Sequence, residues 1–118
     1  MGMIQTTLRV KNPRDPSRFL EDEFLVDSGA TFTVVPKKAL LEIGIMPLRE
    51  EKFTLADGKV ITRQIGNAIF EYHGLEGAAP VLFGEKGDSL LLGVFTLEAL
   101  GLSLDPLQRR FYKATLRL

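Results

Sequence analysis

Short strand-like runs separated by turn residues fill most of the chain. From Ile4 to Lys11 an apolar or β-branched residue alternates with a polar one, which is the pattern of a half-buried strand. Prolines, glycines and Asp-Gly end the further strand-like runs, at 19–26, 31–35, 53–56, 60–65, 68–72, 79–83, 90–92, 102–105 and 111–118. Residues 12–17 and 84–88 are predicted to be loops, and Pro106 a turn.

Two short helices interrupt these strands. The first is predicted over 37–43, since Pro36 suits the start of a helix and Gly44 its end. The second is predicted over 94–100 and is closed by Gly101. Many short strands with two short helices favour an all-β fold, a small closed barrel.

Length and charge narrow the class of protein. A chain of 118 residues is expected to form a single domain, 1–118. Its 15 basic and 15 acidic residues cancel, so we expect neither nucleic acid nor a membrane as partner. No apolar run approaches the ~20 residues that cross a bilayer, and residues 1–11 do not resemble a secretory signal. These features predict a cytoplasmic protein.

Missing residue types exclude several chemistries. The chain has no cysteine and one histidine, His73, which excludes a thiolate zinc site, a cysteine nucleophile and a multi-histidine metal site. We therefore expect no metal and no cofactor. Residues 87–90 read Gly-Asp-Ser-Leu, a signature of serine esterases, but no histidine follows Ser89 to complete that site. A loop is the better interpretation of this segment.

The segment that favours catalysis is 24–30, Phe-Leu-Val-Asp-Ser-Gly-Ala. Asp27 directly follows a strand that is apolar enough to be buried, and a buried carboxylate is costly unless it is paired, hydrogen-bonded or used. Gly29 permits a turn that other residues resist. Taken alone, Asp27-Ser28-Gly29 is also an ordinary turn at the end of a strand, so both interpretations stay open at this point.

Three elements, in this order, resemble the retropepsin-like aspartic proteases, which include the retroviral proteases and their cellular and bacterial relatives. The first is the apolar-apolar-Asp-Ser-Gly-Ala segment, 25–30. The second is a predicted hairpin whose Asp57-Gly58 tip begins 30 positions after Asp27. The third is Leu91-Leu92-Gly93, followed by the second short helix.

This resemblance implies a closed acid-protease barrel that is one half of a two-fold symmetric enzyme. It implies that Asp27 is the catalytic carboxylate and that Ser28, Gly29 and Ala30 support the active-site loop. Ser28 would link the two active-site loops across the dimer, and residues 91–93 would pack behind the loop. The predicted flap, which would close over a polypeptide substrate, consists of Leu55, Ala56, Asp57, Gly58, Lys59 and Val60.

Such enzymes use two carboxylates that share one proton and activate a water, without a covalent intermediate. This sequence has one Asp-Ser-Gly, so the second carboxylate is expected from another copy in a homodimer. The runs 4–11 and 111–118 are candidates for joining the subunits, although a barrel strand is equally expected at either end. The alternative function is a catalytically silent module with this fold that dimerises and binds peptides. Phe32 follows the Asp27 loop closely, so it is predicted to lie either in the cleft or in the core, and the core is favoured.

Overall fold

A computed structural model describes residues 4–105, 107–108 and 110–117. The chain folds into nine strands and two helices over these residues. In chain order they are β1 (Gln5–Asn12), β2 (Asp15–Val26), β3 (Thr33–Pro36), α1 (Lys37–Glu42), β4 (Arg49–Thr54), β5 (Val60–Tyr72), β6 (Leu75–Gly84), β7 (Leu91–Leu92), α2 (Val94–Ala99), β8 (Leu102–Asp105) and β9 (Arg110–Lys113).

Six of these strands close into a barrel. They pair in the order β1, β2, β7, β3, β6 and β5, and β5 pairs with β1 to complete the ring. Strand β4 lies outside the ring, antiparallel to the first half of β5. The predicted all-β barrel with two short helices is confirmed.

The core fills the barrel with apolar side chains from alternate strand positions. Three phenylalanines, Phe24, Phe70 and Phe83, are fully buried there, and full burial of one such side chain contributes about 1.5–3 kcal/mol. Leu40 of α1 and Leu97 of α2 are buried against the same cluster. Strand β6 and helix α2 approach so closely that a Cβ on Gly77 would lie 2.4 Å from the Ala99 carbonyl oxygen.

The structure differs from the sequence prediction in several elements. The strand predicted at 53–56 is instead β4, 49–54, so Leu55 and Ala56 belong to the turn, and β6 begins at Leu75 rather than at residue 79. Residues 12–17 were predicted as one loop, but β1 and β2 are separated only by Pro13 and Arg14. Strand β5 is continuous where two strands were predicted, because Gly66 and Asn67 stay paired with β6. The last predicted strand, 111–118, is wrong beyond Lys113, since 114–117 have no regular structure. The predicted turn at Pro106 and the end of that run, Leu118, lie outside the described residues.

The two candidate subunit-joining runs have different places in the fold. Strand β1 is a barrel strand, since it pairs with β2 along its length and with β5 through Arg9, Val10 and Lys11. Strand β9 instead pairs with β8 in a separate two-stranded sheet. Among the described residues, no helix is long and apolar enough to cross a membrane.

Candidate active site

Main-chain hydrogen bonds hold the loop that carries Asp27 against β7 and α2. On the side of β2, Leu25 N donates to Leu90 O at 3.0 Å, and Asp27 N donates to Leu92 O at 3.1 Å. On the far side, Val94 N donates to Ala30 O at 2.8 Å. Both ends of the loop are therefore hydrogen-bonded to one continuous segment, 90–94, which includes the residues 91–93 that were predicted to pack behind the loop.

The carboxylate of Asp27 is held by its own loop. The Gly29 N–H donates to Asp27 Oδ1 at 2.9 Å, and Ala30 N donates to the Asp27 carbonyl oxygen at 3.1 Å. A Cβ at position 29 would lie 3.2 Å from Oδ1, so glycine leaves room for the carboxylate. The strand before Asp27 was expected to be buried, but in the single chain only Phe24 of β2 is fully buried, and Leu25, Val26 and Asp27 are half-buried. Ser28 and Gly29 are exposed.

A buried pair of hydroxyls lies behind the loop. Thr33 of β3 and Thr96 of α2 are both fully buried, and their side-chain oxygens are hydrogen-bonded to each other. Thr33 Oγ1 also accepts a hydrogen bond from Gly93 N at 3.0 Å. A Cβ on Gly93 would lie 2.5 Å from the Phe32 carbonyl oxygen, so the main chain at Gly93 is too close to that at Phe32 for a side chain to fit between them. These contacts join β3, β7 and α2 behind Asp27.

A hairpin faces Asp27 across an open cleft of about 840 Å³. We call this hairpin, residues 49–63, the flap hairpin; it comprises β4, the flap and the first residues of β5. Leu55 and Ala56 of the flap line the same cleft as Asp27, Gly29 and Ala30. Six of the other twelve cleft residues have apolar side chains; the twelve are Thr31, Phe32, Val34, Phe53, Thr54, Ile61, Arg63, Leu82, Gly87, Asp88, Ser89 and Leu91.

The tip of the flap is the tight turn predicted at Asp57-Gly58. Leu55 N donates to Lys59 O at 2.7 Å, and Lys59 N donates to Asp57 Oδ1 at 2.9 Å. Gly58 has a φ of 86°, a left-handed conformation that favours glycine. Val60 then begins β5 and pairs with Thr54. The six predicted flap residues thus form one compact turn at the edge of the cleft.

A solved structure shares this architecture. No protein-family model matches the chain, and no curated protein sequence is similar to it. Among the 24 solved chains that match its structure is the simian foamy virus (mac) protease, determined in solution. It has a TM-score of 0.52 and 22% sequence identity, and the match covers 79% of this chain and 92% of the viral one. The chain has a retropepsin-like fold.

The retropepsin-like fold brings the predicted loop and the predicted flap to one cleft. Asp27, Gly29 and Ala30 line it from the barrel, and Leu55 and Ala56 line it from the flap hairpin. Ser28 and residues 57–60 do not line it, although Ser28, Asp57 and Val60 each adjoin a residue that does. Ser28 is instead exposed, as is the flap from Leu55 to Val60.

Within the retropepsin-like fold, the prediction that Phe32 lies in the core is wrong. Phe32 is half-buried and lines the cleft, where its ring makes edge contacts with Phe53 of β4 and Phe95 of α2. The ring centroids are 5.8 Å apart for Phe32 and Phe53 and 5.4 Å apart for Phe32 and Phe95. The cleft was the alternative placement, since Phe32 lies only five residues after Asp27, and this alternative is the one that the structure supports.

Sequence reasoning also missed a second carboxylate in the cleft. Asp88, interpreted as a loop residue, lines the cleft wall and accepts two hydrogen bonds from the Arg63 guanidinium, at 2.8 and 3.1 Å. The hydrogen bonds from Arg63 hold the pKa of the Asp88 carboxyl below its ordinary value. Arg63 therefore engages both carboxylate oxygens of Asp88, whereas Asp27 Oδ1 accepts a hydrogen bond from the Gly29 N–H.

Proposed function

We propose that this protein is an aspartic endopeptidase whose active site forms from Asp27 of two copies. The observation that supports this most is the half-buried Asp27 carboxylate, held by the Gly29 N–H and facing a flap hairpin across a mostly apolar cleft. An extended peptide fits such a cleft, because it can add main-chain hydrogen bonds to a neighbouring hairpin. The flap, Leu55 to Val60, would close over it.

The proposed chemistry needs two carboxylates that share a proton. The carboxylates of the described residues that line the cleft are Asp27 and Asp88. Asp88 is an unsuitable partner, because the Arg63 guanidinium and the Glu85 N–H already occupy its oxygens and keep it ionised. We therefore assign the second carboxylate to Asp27 of another copy, related by a two-fold axis.

In the proposed dimer, one carboxylate takes a proton from a water and the other, protonated one donates to the carbonyl oxygen of the peptide. The water oxygen attacks the carbonyl carbon, and the tetrahedral species then breaks its C–N bond as the amine leaves with a proton. Ser28, which is exposed in the single chain, would bond across the dimer, and Gly29 and Ala30 would shape the loop. The rate should peak at mildly acidic pH, since the pair must hold one proton.

The small sheet of β8 and β9 is the surface we propose for dimerisation. Strand β1 is already paired on both sides within the barrel, whereas β8 and β9 pair only with each other among the described strands. Apolar side chains are exposed on and beside this sheet, with Leu107 92%, Leu116 73% and Tyr112 53% exposed. Burial of such side chains favours association. The substrate would be a polypeptide, and the cytoplasm remains the predicted compartment.

The deciding experiment is cleavage of a peptide library by wild type and Asp27→Asn. The substitution keeps the shape of the side chain but removes its acid–base chemistry, so cleavage should fall by at least about 10²-fold. Asp22→Asn, on the exposed part of the same strand, is the matched control and should cleave normally. Cleavage that persists in Asp27→Asn would exclude the proposed mechanism.

A second experiment tests whether the site is shared. Two copies joined by a flexible linker should lose cleavage when Asp27→Asn is present in only one of them, because each site needs both carboxylates. Half of the wild-type activity would mean that each copy acts alone. Peptide binding by wild type with no cleavage over pH 4–8 would instead identify the silent binding module.

A further inference from the structure

An ion pair joins the flap hairpin to the 85–90 loop, which follows β6 and lines the same cleft. Arg63 of β5 donates from Nε to Asp88 Oδ2 at 2.8 Å and from Nη2 to Asp88 Oδ1 at 3.1 Å. The side chains are only 16% and 25% exposed, and both residues line the cleft. This two-pronged geometry fixes the relative orientation of the two groups as well as their distance.

Arg63 stands where the flap hairpin leaves the barrel. From Gln64 to Tyr72, strand β5 is paired with β6, so this part belongs to the barrel wall. From Val60 to Arg63, it is paired with β4 alone. Arg63 is therefore the last residue of the hairpin before the barrel begins, and any bending of the flap hairpin relative to the barrel must occur near it.

Asp88 belongs to a short loop, 85–90, that leads directly to the strand behind Asp27. Asp88 Oδ2 also accepts the Glu85 N–H at 2.8 Å, and Asp88 N donates back to Glu85 O at 3.0 Å. Two residues later, Leu90 O accepts the hydrogen bond from Leu25 N. The loop thus contacts the flap hairpin through Asp88 and the active-site strand through Leu90.

The charges on both partners persist under mildly acidic conditions. The hydrogen bonds between the two side chains raise the pKa of Arg63 and lower that of Asp88 from their ordinary values. An aspartate with a lowered pKa stays ionised at the pH at which an aspartic dyad would work. The ion pair is consequently intact in the conditions of the proposed reaction.

We propose that Arg63 and Asp88 are positioning residues that latch the base of the flap hairpin to the 85–90 loop and so set how tightly the cleft holds a peptide. We call this pair the Arg63–Asp88 latch. Its kinetic consequence rests on the proposed protease function, whereas its effect on the motion of the flap does not. Neither residue is assigned to the chemical step, because both are already engaged with each other.

The first test removes the bidentate hydrogen bonds of the Arg63–Asp88 latch by changing each of its two residues in turn. Arg63→Met keeps the length of the side chain without its charge, and Asp88→Asn keeps its shape. With peptide substrate, each should raise KM by about 5- to 20-fold while kcat changes less than about threefold, because an interaction made equally in the bound and transition states alters KM alone. Arg63→Lys keeps the positive charge without the bidentate hydrogen bonds, so its KM should lie between those of Arg63→Met and wild type.

The second test measures the flap directly. Hydrogen–deuterium exchange of amides in 53–62 should quicken by about tenfold in Arg63→Met and Asp88→Asn, because local opening governs exchange there. Amides of the barrel half of β5, 66–72, should change much less. The double variant should exchange no faster than either single one, since both remove the same interaction.

The matched control is Arg49→Met, which breaks the pair between Arg49 and Glu51 on the neighbouring strand β4. That pair is 53% and 46% exposed, so its loss should leave KM and flap exchange unchanged. The proposed latch would be wrong if the exchange rate of the amides in 53–62 is unchanged in Arg63→Met. It would also be wrong if exchange quickens equally in 53–62 and in the barrel half of β5. If exchange quickens but neither wild type nor any variant cleaves peptides, the latch stands and the proposed protease function fails.

Discussion

Removing the Thr33 hydroxyl should destabilise the protein more than removing its partner hydroxyl. Thr33 Oγ1 serves two buried groups, the Gly93 N–H and the Thr96 hydroxyl. Thr33→Val replaces that oxygen with a methyl group and leaves both groups without a partner. One buried polar group left unpaired costs about 1–3 kcal/mol, so Thr33→Val, which leaves two, should lose about 2–6 kcal/mol of unfolding free energy.

Thr96→Val should cost about 1 kcal/mol, because Thr33 Oγ1 still accepts from Gly93 N and loses only one hydrogen bond. The double variant leaves the Gly93 N–H as the only one of these groups without a partner. It should therefore be no less stable than Thr33→Val alone, which is a strongly non-additive result. Thr33→Ser keeps the hydroxyl and is the control for loss of the methyl group.

Urea unfolding followed by far-UV circular dichroism measures these differences, since the chain has no tryptophan for fluorescence. All variants should be compared at one protein concentration, because a dimer shifts its midpoint with concentration. Equal stability of Thr33→Val and Thr33→Ser would refute the reasoning. Strict additivity in the double variant would do so as well.

Two further predictions concern the barrel itself. Gly77→Ala should lower the free energy of unfolding by about 1–3 kcal/mol in the same urea assay, because its Cβ would lie only 2.4 Å from the Ala99 carbonyl oxygen. A gain in stability would show that β6 and α2 can move apart at no cost. Lys11 pairs with Glu71 and Glu76 across β1, β5 and β6, and the hydrogen bond from Lys11 lowers the pKa of Glu71 below its ordinary 4.5. A lowered pKa stabilises the fold above the ordinary value, and this stability is lost as pH falls through the folded value. Lys11→Met should therefore have a lower free energy of unfolding than wild type at pH 7, and this difference should narrow below pH 4.5. Lys52→Met, at an exposed position, is the control and should match wild type at both pH values. A difference between Lys11→Met and wild type that persists unchanged to pH 2.5 would contradict this assignment.

Local sequence patterns predicted the elements whose causes are local. The alternation at 4–11 predicts β1, Pro36 and Gly44 bracket α1, and Asp57-Gly58 predicts the turn of the flap. Each of these depends on the conformational preferences of a few neighbouring residues. The loop that carries Asp27 was identified differently, through the resemblance of three ordered elements to the retropepsin-like proteases, because its residues taken alone are those of an ordinary turn.

Contacts between distant parts of the chain could not be predicted in the same way. Arg63 and Asp88 lie 25 positions apart, and Thr33 and Thr96 lie 63 apart. Nothing near any of these residues distinguishes it from an ordinary surface charge or a strand threonine. Strand β5 was divided at Gly66 for a related reason: glycine weakens a strand by itself, but here the partner strand β6 maintains the pairing.

The attachment of the Asp27 loop also bears on how such a chain can diverge. Its fastenings to Leu90, Leu92 and Val94 use amide and carbonyl groups, which are common to nearly all residue types. Substitutions at the half-buried Leu90 and Val94 can keep these hydrogen bonds, provided that they preserve the backbone conformation and avoid proline at the donor, whereas Leu92 is fully buried in the core. Gly93 is the exception, because the Phe32 carbonyl leaves no space for a side chain. Main-chain attachments of this kind are compatible with very different side chains, and the foamy virus protease shares this fold at only 22% identity.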